Sequence, residues 1–390
     1  KTIDSRSDQT FGSRKEKKEY EVENNVTYRY YRLNVKQNAG SESTQIAEWT
    51  LSAAASTGEN IDDLLRLAGG KTASQITPMG TIHESDRKAS AQDLEWLKNA
   101  TAQPETFDGL AWKTFDVAGS IYPFGDPLPA DINQHSIGDC CALAVMADLA
   151  YTYPKYIRSM LKEKEGNTYA VSLFDPMGKP VEVCVDNYFV ADGNKLGACS
   201  GKTNNVTWAT IIEKALIKWL QVYKGSSSIN GIATEYVAAI LTGSGNTYSF
   251  APGVLSGKDM KRAVVSLVMQ RQLVIGGFKD GDKPIDGKYK SVNFHAYNFL
   301  LPPSNKYLFV MRNPWGLLPL ISGGYSDGKE DGLLQIEDDG VIPPIIDLRI
   351  CSPGAAKGYA SQGTMMPYTP PSYAPVPMRI PRAVLAPRAF

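Results

Sequence analysis

One segment constrains the fold more than any other. Trp208, Ile211, Ile212, Ala215, Leu216, Trp219, Leu220 and Tyr223 recur at alternating spacings of three and one. That spacing draws an apolar stripe along a helix with a buried face, and Gly225 supplies its stop. A second apolar helix is expected to start at Cys140 and run to about Tyr151, with Leu143, Met146 and Leu149 inward and Ala142, Ala144 and Ala147 allowing close packing. Beyond residue 255 the texture changes. A helix opened by Ser256 precedes the strand-like runs 273–278, 294–300, 307–311 and 331–336, rich in β-branched and aromatic residues. Helices first and strands afterwards predict an α+β chain with two segregated lobes.

A chain of 390 residues has room for two or three domains. Residues 1–105 read as an N-terminal, propeptide-like region, with a strand near Val26–Val35 and short helices at 60–67 and around Leu94, Trp96 and Leu97. Residues 106–250 read as the helical lobe and 251–352 as the β-rich lobe. Residues 353–390 hold eight prolines and no acid, an extended and peripheral tail. Lysine plus arginine and aspartate plus glutamate number 41 each, so the basic excess of a nucleic-acid binder is missing. No apolar run is long enough for a membrane-spanning helix. Five cysteines, an odd number spread thinly, argue against a disulfide framework and leave a free thiol.

Gly138-Asp139-Cys140 puts one thiol at a helix start, with Asp139 as a candidate cap. Backbone N–H groups there, and a nearby imidazolium, lower a thiol's pKa and make it a nucleophile. The same cysteine could equally be a small buried hydrophobe. Three histidines could serve as its base: His83, His135 on the approach to Cys140, and His295 in an apolar strand. Asn313 opens Asn-Pro-Trp-Gly, which also reads as a plain turn. The order Cys140, His295, Asn313 is the papain-like one. His295 follows Cys140 by 155 residues, slightly beyond the roughly 130–150 of papain-like enzymes.

Gln134-His-Ser-Ile-Gly-Asp-Cys-Cys-Ala-Leu-Ala144 is similar to the segment Q-x-x-x-G-D-C-W-x-L-A of the calpain family of cysteine peptidases, and further segments resemble that family in order over roughly residues 106–340. His295-Ala-Tyr297 matches its H-A-Y, and Arg312-Asn-Pro-Trp-Gly316 is identical to its R-N-P-W-G. Trp208-Ala-Thr-Ile-Ile-Glu-Lys-Ala215, Val183-Cys-Val-Asp-Asn-Tyr188 and Asp331-Gly332 resemble three further family segments. The resemblance implies a papain-like two-lobed fold, with a helical lobe carrying the cysteine and an antiparallel β lobe carrying His and Asn. It implies Cys140 as nucleophile, His295 as general base and acid, Asn313 as its orienter, Gln134 as an oxyanion donor and Trp315 as a shield over the His–Asn pair. The implied reaction is hydrolysis of protein and peptide substrates through an acyl-enzyme.

The resemblance also implies calcium, held by Asp131 and Glu213 in the first lobe and by Asp327 and Asp331 in the second. Carboxylates suit that hard cation. Pro319 and Leu333 stand where the family usually has acids in the second site. Cys141 replaces the family's Trp and Phe294 the Gly before the histidine, altering the cleft near its most confined subsites. The long N-terminal region suggests a self-processing zymogen inhibited in cis by residues 1–105, and calcium sites suit a calcium-rich, extracytoplasmic location. Two other readings are a non-catalytic binding module on the same core and a related thiol acyltransferase such as a transglutaminase. Retention of the whole triad with Gln134 weighs against the first. Asparagine as third member weighs against the second.

Overall fold

A computed structural model describes residues 73–76 and 88–371, apart from 106–108, 118, 245, 251–256, 279–280, 282, 286–287, 305, 326–331, 338–344, 362 and 364. It also describes 4–7, 9, 18, 20 and 33–36. The strand expected near Val26–Val35 lies almost wholly outside these residues, and the helix at 60–67 entirely so. The chain divides into two units, Lys1–Ser52 and Ala53–Phe390. In the first, Arg6 Nε lies 2.9 Å from Asp4 Oδ2 and Tyr20 donates its hydroxyl to Gln9 Oε1 at 2.7 Å.

In chain order, β1 (Ala73–Ile76) precedes α1 (Ala91–Lys98) and β2 (Ala111–Thr114). Next come α2 (Cys140–Thr152) and α3 (Pro154–Met160). Five short strands follow: β3 (Leu161–Lys164), β4 (Thr168–Phe174), β5 (Pro180–Val185), β6 (Tyr188–Asp192) and β7 (Lys195–Leu196). Then come α4 (Trp208–Lys224), α5 (Thr234–Thr242), β8 (Thr247–Phe250) and α6 (Gly257–Met269). The closing elements are β9 (Leu273–Phe278), β10 (Ala296–Leu300), β11 (Tyr307–Arg312), β12 (Leu333–Glu337) and β13 (Ile345–Cys351).

The first lobe packs α2 and α4 into one core with Trp208, Trp219, Leu143 and Val183. The apolar stripe read in the sequence is α4's buried face, and Gly225 closes it at φ +72°, in the left-handed region. Beside its helices this lobe also carries two three-stranded antiparallel sheets, β2-β6-β7 and β3-β4-β5. Residues 91–105, read from sequence as part of the N-terminal region, are built into the same lobe. Leu97 is fully buried, and the Lys218 ammonium donates to Asn99 O at 2.8 Å and Trp96 O at 3.4 Å. Ser90 caps α1 through a reciprocal pair with Asp93.

The second lobe is an antiparallel sheet in the order β1-β8-β13-β9-β10-β11-β12, with α6 packed on it. Phe299, Met311, Val274 and Leu348 fill its core. Gly277 in β9 pairs with Ala296, and a Cβ there would come within 3.0 Å of the His295 carbonyl. The close approach that seats His295 thus depends on a residue without a side chain.

Buried polar links join the lobes. Asp148 Oδ2 in α2 accepts the Val274 N–H at 2.6 Å, Tyr153 donates its hydroxyl to Arg271 O at 2.9 Å, and Arg312 donates to Ile132 O. The described part of the tail, up to residue 371, carries one 3-10 turn at Gly354–Tyr359 and is less peripheral than expected. Met365 enters the second core, Tyr151 donates to Met366 O, and Arg271 donates to the Ser361 and Gly363 carbonyls.

Asp148 gives a stability prediction. Burial raises its carboxyl well above the carboxylate range. A group whose folded pKa exceeds its unfolded one contributes fully below the unfolded value, about 3.9, and loses that contribution as pH rises. Asp148→Asn keeps an acceptor for Val274 and cannot ionise. Its melting temperature relative to wild type is expected to climb by at least about 2 °C between pH 5 and pH 8. A pH-independent difference would show that Asp148 ionises freely in the fold.

Candidate active site

Cys140 is the first residue of α2 and is half-buried, behind a loop that spans Gln134 to Asp139. Its sulfur accepts a hydrogen bond from the Ala296 N–H at the start of β10. That contact crosses from one lobe to the other and lands one residue after His295. The imidazole is buried, and its Nε2 lies 2.7 Å from Asn313 Oδ1. The Trp315 N–H donates to the same Oδ1 at 3.0 Å, which identifies that atom as an acceptor. Nε2 therefore carries the proton, and Nδ1 keeps its lone pair. Gly316, at φ +67°, turns the chain directly after Asn313-Pro-Trp.

Two rings box the imidazole. Trp315 lies 4.5 Å away, centroid to centroid, and Tyr297 lies 5.2 Å away, edge-on. Tyr325 covers Trp315 at 5.7 Å. Trp315 thus sits where a shield of the His–Asn bond would sit. Tyr297 closes the second side of the imidazole, a contact that the His295-Ala-Tyr297 spacing alone does not reveal.

The electrostatics differ from the expectation of a lowered thiol pKa. The Cys140 thiol is pushed well above its ordinary value, first by hydrogen bonding with the Cys141 side chain and then by burial; the Ala296 N–H pulls the other way. Burial brings His295 down to about 4, against the opposing Asn313 bond. Burial thus favours the neutral form of thiol and imidazole alike. Helix-start geometry alone could not reveal the neighbour that outweighs it.

Gln134 is buried, and its backbone N–H donates to Pro314 O at 2.8 Å. Its side-chain amide does not point free as an oxyanion donor: Nε2 lies 2.7 Å from Ile137 O and 3.4 Å from Asp139 Oδ1. Asp139 makes no side-chain cap for α2. Its carboxyl is fully buried and hydrogen-bonded to Glu213. Two touching carboxyls cannot both ionise cheaply, so burial and mutual repulsion raise Glu213 well above its ordinary range.

Of the competing bases, His135 is spoken for. Its Nε2 lies 2.7 Å from Ser200 Oγ, and burial takes it down to about 4. His83 lies outside the described residues, as do Asp327 and Asp331.

The first-lobe acids do not fit calcium as placed. Asp131 is buried, and its Oδ2 accepts from Trp208 Nε1 at 2.7 Å and Leu128 N at 2.9 Å. Its Oδ1 has no partner among the described residues. Asp131 lines a cavity of about 130 Å³ with Lys202, Thr203 and Asn205. Glu213 does not line it; both its oxygens lie 3.0 Å from the Cys199 N–H, beside Asp139. Among the described residues no three His, Cys, Asp or Glu side chains cluster to hold a metal. A single carboxylate beside a lysine is a poor site for a cation that takes six to eight oxygens.

A thiol, an imidazole whose protonated nitrogen is held by an asparagine, and a tryptophan cover are the parts of a cysteine peptidase centre. The family profile described as calpain family cysteine protease matches residues 82–333, which contain all of them. The chain belongs to the calpain family of cysteine proteases. It is similar to calpain clp-4 of Caenorhabditis elegans, 23% identical over 218 residues, covering 52% of this chain and 29% of that one. It is similar to calpain-8 of Rattus norvegicus, 24% identical over 255 residues, 58% of this chain and 34% of the relative. It is also similar to the calpain-1 catalytic subunit of Sus scrofa, 25% identical over 221 residues, 52% and 29%. The chain thus spans about a third of the length of these curated calpains. The calpain match accounts for the α+β architecture and begins within residues 1–105, expected from sequence to form the N-terminal region.

Proposed function

We propose that this chain is a calpain-type cysteine endopeptidase. The observation that carries the proposal is the His295–Asn313 bond, whose polarity leaves Nδ1 with a lone pair able to accept a proton. In acylation the thiol proton moves to His295 Nδ1 as sulfur attacks the peptide carbonyl carbon. The imidazolium then returns a proton to the departing amine, leaving a thioester. Water, deprotonated by His295, attacks that thioester and releases the acid and the thiol. Burial favours the neutral form of both groups in the free enzyme. Asn313 and Trp315 hold the imidazole. Gln134 joins only if its amide leaves Ile137 for the oxyanion.

A peptidyl epoxide with the protein, followed by peptide mapping, tests the assignment. One adduct on Cys140, among five cysteines, is expected. Labelling of Cys141 instead, or peptide cleavage that the epoxide does not inhibit, would remove Cys140 from the mechanism.

Self-processing is part of the proposal: wild type is expected to shorten from its N-terminus on incubation while Cys140→Ala stays whole. Equal shortening of both would assign the cut to another protease. Calcium binding by the first-lobe pair is not part of it, because Glu213 is committed to Cys199 and Asp139. Millimolar calcium is expected to shift the melting temperature equally in wild type and in Asp131→Ala/Glu213→Ala. A rise seen only in wild type would place the ion at these acids.

A further inference from the structure

Phe294 stands out in the second lobe. It adopts φ +50°, in the left-handed region, where a bulky side chain is a genuine outlier. It is 75% exposed, although His295 and every residue of β10 after it are buried. Its N–H is held by Asn293 Oδ1 at 3.1 Å, and Asn293 itself bridges Phe278 of β9, so the kink is anchored. The ring belongs to none of the described hydrophobic cores. Neither packing nor backbone geometry accounts for an aromatic side chain here. Strained, exposed residues of this kind gather where a ligand is gripped.

The ligand follows from position. Ala296 N–H contacts the Cys140 sulfur, and Phe294 lies two residues back along the chain. Two residues span at most about 7 Å. A peptide bonded to the sulfur through its carbonyl carbon advances about 3.4 Å per residue when extended. The side chains within Phe294's reach are therefore those flanking the scissile bond.

We infer that Phe294 is a specificity-determining residue of the cleft, whose exposed ring takes an apolar side chain of the substrate within two positions of the scissile bond. The inference rests on the peptidase reading above. The ring offers apolar contact area and an aromatic face but no hydrogen-bonding atom, so a leucine or phenylalanine gains contact there that a serine or glycine does not.

The test compares two internally quenched peptides, identical except for Leu or Ser at the positions flanking the cut. Both are assayed with the full chain as wild type, Phe294→Asn and Phe294→Tyr. Asparagine tolerates the left-handed region and removes the ring, so the variant keeps its backbone. Tyrosine keeps the ring. Wild type is expected to prefer the leucine peptide in kcat/KM by about 10-fold or more. The ratio should fall towards one in Phe294→Asn and persist in Phe294→Tyr. An equal ratio in wild type and Phe294→Asn would overturn the inference and leave the peptidase reading intact. No cleavage of either peptide by wild type would overturn both.

Discussion

Cys140→Ala is expected to lower kcat/KM for peptide hydrolysis by roughly 10⁴-fold or more, because acyl transfer loses its nucleophile and no neighbour can replace it. Cys141 is the nearest candidate, yet it follows Cys140 in the first turn of α2, and the Ala296 contact from the His295 strand falls on the Cys140 sulfur. The variant should fold. Alanine is the best helix former, and the change removes one sulfur from a half-buried site at a helix start. Circular dichroism and melting temperature close to wild type, together with lost hydrolysis, are the combined expectation. Retained hydrolysis in a folded Cys140→Ala would transfer the chemistry elsewhere.

The largest stability effect is expected at Trp208. The side chain is fully buried at the first position of α4, and its Nε1 donates to buried Asp131. Truncation to alanine costs about 3–5 kcal/mol in lost contact and cavity. It also removes one of the two donors on buried Asp131 Oδ2, leaving the Leu128 N–H, at about 0.5–1.5 kcal/mol. Against a total of about 5–15 kcal/mol for a folded domain, Trp208→Ala should sit at the edge of folding. Trp208→Phe separates the two parts, since it keeps most of the packing and loses only the donor. Urea unfolding followed by tryptophan fluorescence measures both. A loss under about 1 kcal/mol for Trp208→Ala would mean that the α4 start is not integral to the core.

The way α4 was legible shows what sequence carries well. Its stripe runs through Trp208, Ile212, Leu216 and Trp219, and its stop is a single glycine, so local periodicity suffices. The strands of the first lobe escaped because they are short and their pattern is ambiguous. β3 is one buried leucine followed by Lys-Glu-Lys, and it is a strand only because β4 pairs with it. β13 likewise acquires meaning from β8 and β9, far away in the chain.

The site divides along the same line. Cys140, His295 and Asn313 are legible as residue types in order. Where Gln134, Asp139 and Glu213 point is not, because Ile137 O, the Cys199 N–H and their own mutual contact decide it. The thiol's raised pKa was equally hidden, since it depends on Cys141 and on burial.

The central claim is that peptide hydrolysis passes through a thioester on Cys140, with His295 moving the proton. An activated ester of a short peptide, mixed with the enzyme, quenched in acid within milliseconds and read by intact mass and peptide mapping, tests it most directly. The expected result is a mass gain equal to the acyl half of the substrate, mapped to Cys140 and missing in Cys140→Ala. Steady turnover with no adduct, or an adduct mapped to any other residue, would contradict it.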